Sequence, residues 1–208
     1  KQYLDFLRNL LKDKSYVGLA YMTGILPIKK YGTHSALNMF DEFSMTYPRE
    51  FDKYIGFTED EVKALCERYH RNFDEMKLWY DGYNFSEDIH IYNPKSVVDS
   101  VLTGDFRSFW VSTETYEALK LYIDMDMDGL KESIVGMLGG LTQKIDPESF
   151  SNDMTSLKTK DDVLTLLVHL GYLAYDVDNS EVSIPNMEIQ AEFVRAMKDK
   201  KWDRIEVG

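Results

Sequence analysis

The chain has 208 residues, of which 44% are hydrophobic and 29% charged, and a net charge of −12. That length allows one domain or two small ones with a real core, and no apolar run approaches the roughly 18 residues of a bilayer-spanning helix. The acidity sets the surface against phosphate backbones, which argues against broad nucleic-acid binding and leaves a protein partner open.

The first residue is Lys and no signal-peptide pattern follows, as expected of an excised segment. Residues 2–12 place Tyr3, Leu4, Phe6, Leu7, Leu10 and Leu11 at helix spacing. Residues 16–22, YVGLAYM, are a nearly all-apolar run ending at Thr23-Gly24, and read as a fully buried strand. Lys29 and Lys30 then reach water. Residues 35–40 suggest a short helix, and residues 45–54 are ambiguous.

Thr58-x-x-Glu61 is a capping box, followed by Val62, Leu65, Cys66 and Tyr69 at helical spacing. Residues 73–80 form another helix, stopped by Asp81-Gly82. From there Trp79, Tyr80, Tyr83, Phe85, Ile89, Ile91 and Tyr92 crowd one short span. Burying one such ring is worth roughly 1.5–3 kcal/mol, so the span reads as a knot on which flanking helices dock. Residues 83–85 and 89–92 look like two short strands. Asn93 caps the next helix and Pro94 takes its first position, carrying it to Gly104.

Phe109-Trp110-Val111 reads as a brief strand, and Ser112 and Thr113 offer caps for a helix over 116–123. Residues 129–138 are helical, and 141–145 suit a strand. Thr159-x-x-Asp162 starts a helix closed by Gly171. A hairpin follows over 172–184, turning at Asp178-Asn179, and Asn186 caps a last helix to about Lys198. Helix, hairpin and helix together predict a winged-helix-like module beginning near residue 150.

Chemistry is harder to find. The phosphate loop G-x-x-x-x-G-K-[ST] is absent, and so is G-x-S-x-G. Leu173-Ala174-Tyr175-Asp176 mimics a strand with a Mg²⁺-positioning Asp but has no phosphate loop before it. Asp124 to Gly129 matches half a calcium loop, whose closing Glu is replaced by Val135. His34, His70, His90 and His169 show no zinc-like spacing, and His169 sits in a last helical turn, where a cation is welcome. Cys66, the single cysteine, reads as a buried apolar group and suits a reducing cytoplasm. Thr23-Gly24 has two readings: a ligand contact at the end of a buried parallel strand, or a plain turn.

Four blocks in order, Ala20-Tyr21-Met22-Thr23-Gly24-Ile25-Leu26, Gly56-Phe57-Thr58-Glu59-Asp60-Glu61-Val62, Trp79-Tyr80-Asp81-Gly82-Tyr83 and Ile91-Tyr92-Asn93-Pro94-Lys95-Ser96-Val97, resemble the predicted AAA-ATPase-like family of bacterial proteins. Trp110-Val111-Ser112-Thr113 and Ile184-Pro185-Asn186-Met187-Glu188 resemble its later blocks. Members often carry a PD-D/E-x-K nuclease-type domain. The resemblance implies that the phosphate loop, ATP and Mg²⁺ belong to a parent chain, with no cofactor held by this stretch. It implies a core remnant over 1–56, a helical lid over 57–149 and a winged-helix-like module over 150–208, together a mainly α, α+β fold. Thr23 with Gly24 would then be sensor-like, with Lys29 or Lys30 near the phosphates. The expected role is nucleotide sensing and coupling without hydrolysis, partnered by the missing ATPase core and nuclease-type domain. The rival expectation is a stand-alone protein- or DNA-interaction module, and a weaker third is a hydrolase with a spatially assembled site.

Overall fold

The computed structural model describes residues 2–26, 39–86, 89–110, 123, 127–150 and 157–198. The fold is mainly α-helical with short antiparallel strands, the α+β class expected from the sequence. Helix α1, Gln2–Leu11, buries none of its residues, and Tyr3 and Phe6 face water. The expected strand over 16–22 does not form. Those residues run as irregular chain, with Leu19 and Tyr21 almost fully exposed. An apolar run becomes a two-sided strand only where layers cover both faces, and no described strand lies beside this one. Thr23 and Gly24 therefore sit in exposed irregular chain, not at a strand end. Lys29, Lys30, His34, residues 35–38, Val111 to Thr113, the 116–122 stretch and Asp124 to Asp126 lie outside the described residues.

Two hydrophobic cores organise the rest. The first gathers β1 (Phe57–Thr58), α2 (Glu59–Tyr69), α3 (Phe73–Tyr80), β2 (Tyr83–Ser86), β3 (Ile89–Tyr92) and α4 (Pro94–Thr103). Val62, Cys66, Met76, Tyr80, Tyr92, Val97 and Val101 form its buried centre. The strands make one antiparallel sheet in the order β1-β3-β2, with Phe57 opposite Tyr92 and Tyr83 opposite Ile91. Strand β1 carries no pattern of its own. It pairs because Gly56 lets the backbone come close: a Cβ there would lie 2.5 Å from Ile91 Cγ2.

The local signals act as read. The Glu61 carboxylate accepts from both the Thr58 amide and its hydroxyl at 2.8 Å, anchoring the start of α2. Asn72 caps α3 by accepting from the Glu75 amide. Asn93 accepts from the amides of Lys95 and Ser96, and Pro94 occupies the first turn of α4, where its missing N–H leaves nothing unsatisfied.

The second core holds α5 (Leu130–Leu138), β4 (Gln143–Lys144), α6 (Lys160–His169), β5 (Ala174–Asp176), β6 (Glu181–Ser183) and α7 (Met187–Lys198). Its sheet runs β4-β6-β5, all antiparallel. Ile123, Leu130, Ile134, Met137 and Ile145 share this core with Val163, Leu167, Tyr172 and Phe193, so residues on both sides of position 150 build one unit. The reciprocal bonds at α6 are complete: Thr159 Oγ1 accepts from Asp162 N at 3.1 Å, and Asp162 Oδ2 accepts from Thr159 N at 3.0 Å. Thr159→Ala is expected to destabilise the chain by about 1 kcal/mol, read as a lower urea midpoint at unchanged slope.

Phe109 and Trp110 are not a strand. Their amides are taken by side chains instead: Phe109 N donates to Glu188 Oε1 at 2.8 Å, and Trp110 N to Ser108 Oγ at 3.3 Å. Asp176, the mimic of a Mg²⁺ acid, closes the hairpin turn by accepting from the amides of Asp178 and Asn179.

Candidate functional site

Helix α3 ends at Tyr80, and the next two residues turn the chain into β2. Asp81 is extended, and Gly82 takes φ +114, a conformation that side chains resist. The turn lies directly against the entry to α7: a Cβ on Gly82 would stand 2.1 Å from the Pro185 carbonyl oxygen. Asn186 uses both ends of its amide there. Its Oδ1 accepts from Ile189 N to cap α7, and its Nδ2 donates to the Asp81 carbonyl at 2.7 Å.

This contact is one of several polar bonds that join the two cores. Tyr83 Oη donates to the Gly171 carbonyl at 2.6 Å. Ser96 Oγ, on α4, donates to Glu188 Oε1 at 3.0 Å, and Ser108 Oγ donates to Glu192 Oε1 at 2.5 Å. Trp110 stacks edge-on against Tyr172 with centroids 4.9 Å apart. A cleft of about 470 Å³ opens along the seam between Lys77, Asp81 and Gly82 on one side and Met137, Pro185 and Asn186 on the other.

Glu188 and Glu192 are essentially inaccessible to water. Arg195 bonds Glu192 at 3.1 Å, but Glu188 Oε2 has no hydrogen-bonding partner among the described residues. Burial pushes the Glu188 carboxyl up to about 7 against the pull of its two donors. His169 differs from its sequence expectation: burial, with the Phe150 ring 5.4 Å away, lowers it to about 4, so it is neutral rather than a helix-end cation. Burial likewise raises the Cys66 thiol, as suits a packing residue.

The second feature lies on the other side of the same turn. Glu59 opens α2, Asp81 follows α3 and His90 sits in the middle of β3. One potential ligand atom from each lies within 4.8 Å of the others. His90 Nδ1 and Asp81 Oδ2 are 2.9 Å apart. Glu59 receives Lys63 on Oε1 and Lys77 on Oε2, each at 2.7 Å, and Tyr92 Oη reaches Oε2 at 3.4 Å. Those two ammonium groups hold the Glu59 carboxyl down at about 2. Asp81 is 7% exposed, and its Oδ1 is buried with no partner among the described residues.

The structure thus brings Trp79, Tyr80, Asp81, Gly82, Tyr83, Asn93 and Pro94 together in one place. Tyr80 and Tyr92 are fully buried, and Trp79 packs at the edge of the first core. Tyr80 Oη donates to the Arg107 carbonyl and accepts from the Arg107 amide, tying the knot to the chain that leads to Trp110. Thr23 and Gly24 stay exposed. Glu59, Glu188 and Glu192 were not singled out from sequence, and His90 was weighed as a zinc ligand and set aside for lack of spacing. Glu59 lay hidden inside a capping box, and His90 has no ligand neighbour at local spacing.

The sequence matches no family model and no solved structure. It is 31% identical over 121 residues to an "Uncharacterized protein in vnfD 5'region" of Azotobacter chroococcum mcd 1. The match covers 55% of this chain and 23% of the relative, so the chain spans under a quarter of that protein.

Proposed function

We propose that this chain is a coupling region of a larger ATPase-like protein, joining a lid to a winged-helix-like end without hydrolysing nucleotide itself. The observation that carries the reading is the seam. The Asp81-Gly82 turn, Tyr83, Ser96 and Trp110, from blocks that resemble the AAA-ATPase-like family, meet Gly171, Pro185, Asn186 and Glu188 across it. Short, buried polar bonds between two cores make the pair move as one body. A push on the lid then reaches α7 instead of being absorbed by a hinge.

The order α5, β4, α6, β5, β6, α7, with sheet order β4-β6-β5, supports a winged-helix-like reading of the second core. Its helix α6 is buried from Asp162 through Val168, on every side. A helix with no free face has nothing to lay in a DNA groove. This supports a mechanical or protein-facing role over nucleic-acid binding.

The purified chain, given Mg²⁺ and ATP, is expected to release phosphate no faster than a mock preparation. Enzyme-like turnover by this chain overturns the reading. Sequencing the reading frame upstream of Lys1 is the companion test, with a phosphate loop as the expected result.

A further inference from the structure

We propose that Glu59, Asp81 and His90 form a binding site for a divalent transition cation, with Zn²⁺ the best fit. The inference stands apart from the coupling reading: the two share Asp81, but the seam uses its backbone carbonyl and this site its side chain. Three elements, the start of α2, the end of α3 and the centre of β3, deliver two carboxylates and one imidazole to a single point. Zinc sits about 2.0–2.2 Å from oxygen and nitrogen ligands. Ligand atoms around a tetrahedral zinc ion are therefore about 3.4 Å apart, and the three found here, within 4.8 Å of one another, need a small side-chain adjustment to close on one ion.

A cluster of acids alone would mean little. The decisive feature is Asp81, which is 7% exposed and keeps one carboxylate oxygen, Oδ1, buried without a donor among the described residues. A buried acceptor left unmet is expensive, and a bound ion is one of the few things that satisfies it. Its other oxygen already orients His90. An ion would take the place of the proton shared by His90 Nδ1 and Asp81 Oδ2, which lie close enough to ligate it together. The side chains of His90 and Glu59 are 31% and 25% exposed, which leaves a path from solvent.

The mixed donor set selects the ion. Calcium takes 6–8 oxygen ligands and magnesium keeps most of its waters, so an imidazole nitrogen beside two carboxylates disfavours both. Imidazole suits zinc. Lys63 and Lys77 are the competitors, since both sit on Glu59. Lys77 is 43% exposed and free to swing out as the ion enters, while Lys63 keeps its hold on the other oxygen.

Titration calorimetry of the whole 208-residue chain with Zn²⁺, Mg²⁺ and Ca²⁺ tests the site. One equivalent of Zn²⁺ is expected, bound more tightly than either hard cation. His90→Gln is expected to weaken Zn²⁺ binding at least about tenfold, and Lys77→Gln to tighten it by removing the rival cation. Zn²⁺ affinity that is unchanged in His90→Gln overturns the proposal, as does preference for Ca²⁺ or Mg²⁺, or the absence of stoichiometric binding. If His90→Gln fails to fold, the absorption spectrum of the Co²⁺-loaded native chain decides. A mixed nitrogen and oxygen set at low coordination supports the site, and the spectrum of the hexaaqua ion refutes it.

Discussion

Gly82→Ala is expected to destabilise the chain by more than about 4 kcal/mol, placing it among the rare severe single substitutions. Two effects add. The backbone at φ +114 strains any residue with a Cβ, at a cost of about 1–3 kcal/mol. The new methyl would also sit 2.1 Å from the Pro185 carbonyl oxygen, which belongs to backbone and cannot rotate away. Relief requires the Asp81-Gly82 turn to back off from α7. That breaks the Asn186 bond to the Asp81 carbonyl and opens the seam. Gly140→Ala is the control. Gly140 also has positive φ, +89, but a Cβ there meets nothing within 4 Å, so only the conformational cost of about 1 kcal/mol remains. Urea melts of both variants read the difference. Equal losses would show that the seam adds nothing to backbone strain, and the rigid-coupling account would fall with it.

How much of this arrangement the sequence disclosed depends on the range of each signal. Caps and helix stops are written within three or four residues of the backbone groups they satisfy. Thr58 with Glu61, Asn93 with Pro94, Thr159 with Asp162, and Asn186 could therefore be read directly. The aromatic knot was also legible, because so many rings between Trp79 and Tyr92 demand burial wherever the chain goes. The run at 16–22 misled for the complementary reason. Hydrophobicity states that a segment wants cover, not that described elements supply it, and Leu19 and Tyr21 remain exposed. Strand β1, two residues long, is set by the close approach at Gly56 and has no periodicity to detect.

The ionisable groups were the least visible. Glu59 and His90 meet only because α2 and β3 fold onto each other. In α7, however, a signal was present. Glu188, Ile189, Glu192, Phe193 and Ala196 fall on one helical stripe, and all five are buried. Two acids on the apolar face of an amphipathic helix mark a place where the helix docks on donors, here Ser96, Ser108 and the Phe109 amide. The Asn186 cap placed the helix correctly, and the charge carried on its inner face was the clue to the seam.

That inner charge gives the second large effect, a pH dependence made of two opposed slopes. The Glu188 carboxyl is raised from an ordinary 4.5 to about 7 by burial. Its contribution to stability is fully present below pH 4.5 and is lost as pH rises through about 7. The shift corresponds to up to about 3 kcal/mol. His169 is lowered from 6.5 to about 4, again by burial. Its contribution is present above pH 6.5 and is lost as pH falls through about 4, over a similar span. Between pH 4.5 and 6.5 the two slopes run against each other, so the native chain is expected to show a nearly flat stability profile there. Single substitutions separate them. In Glu188→Gln, which keeps an oxygen for Ser96 and the Phe109 amide, stability should climb by up to about 3 kcal/mol from pH 4 to 6.5 as the His169 slope stands alone. In His169→Gln it should instead fall from pH 4.5 to 7. Urea melts across pH 4–8 make the comparison. A Glu188→Gln profile parallel to that of the native chain would mean that the buried carboxylate is ionised at no cost. The seam would then be wet, and α7 would have no fixed polar contact with the first core through which to move with the lid.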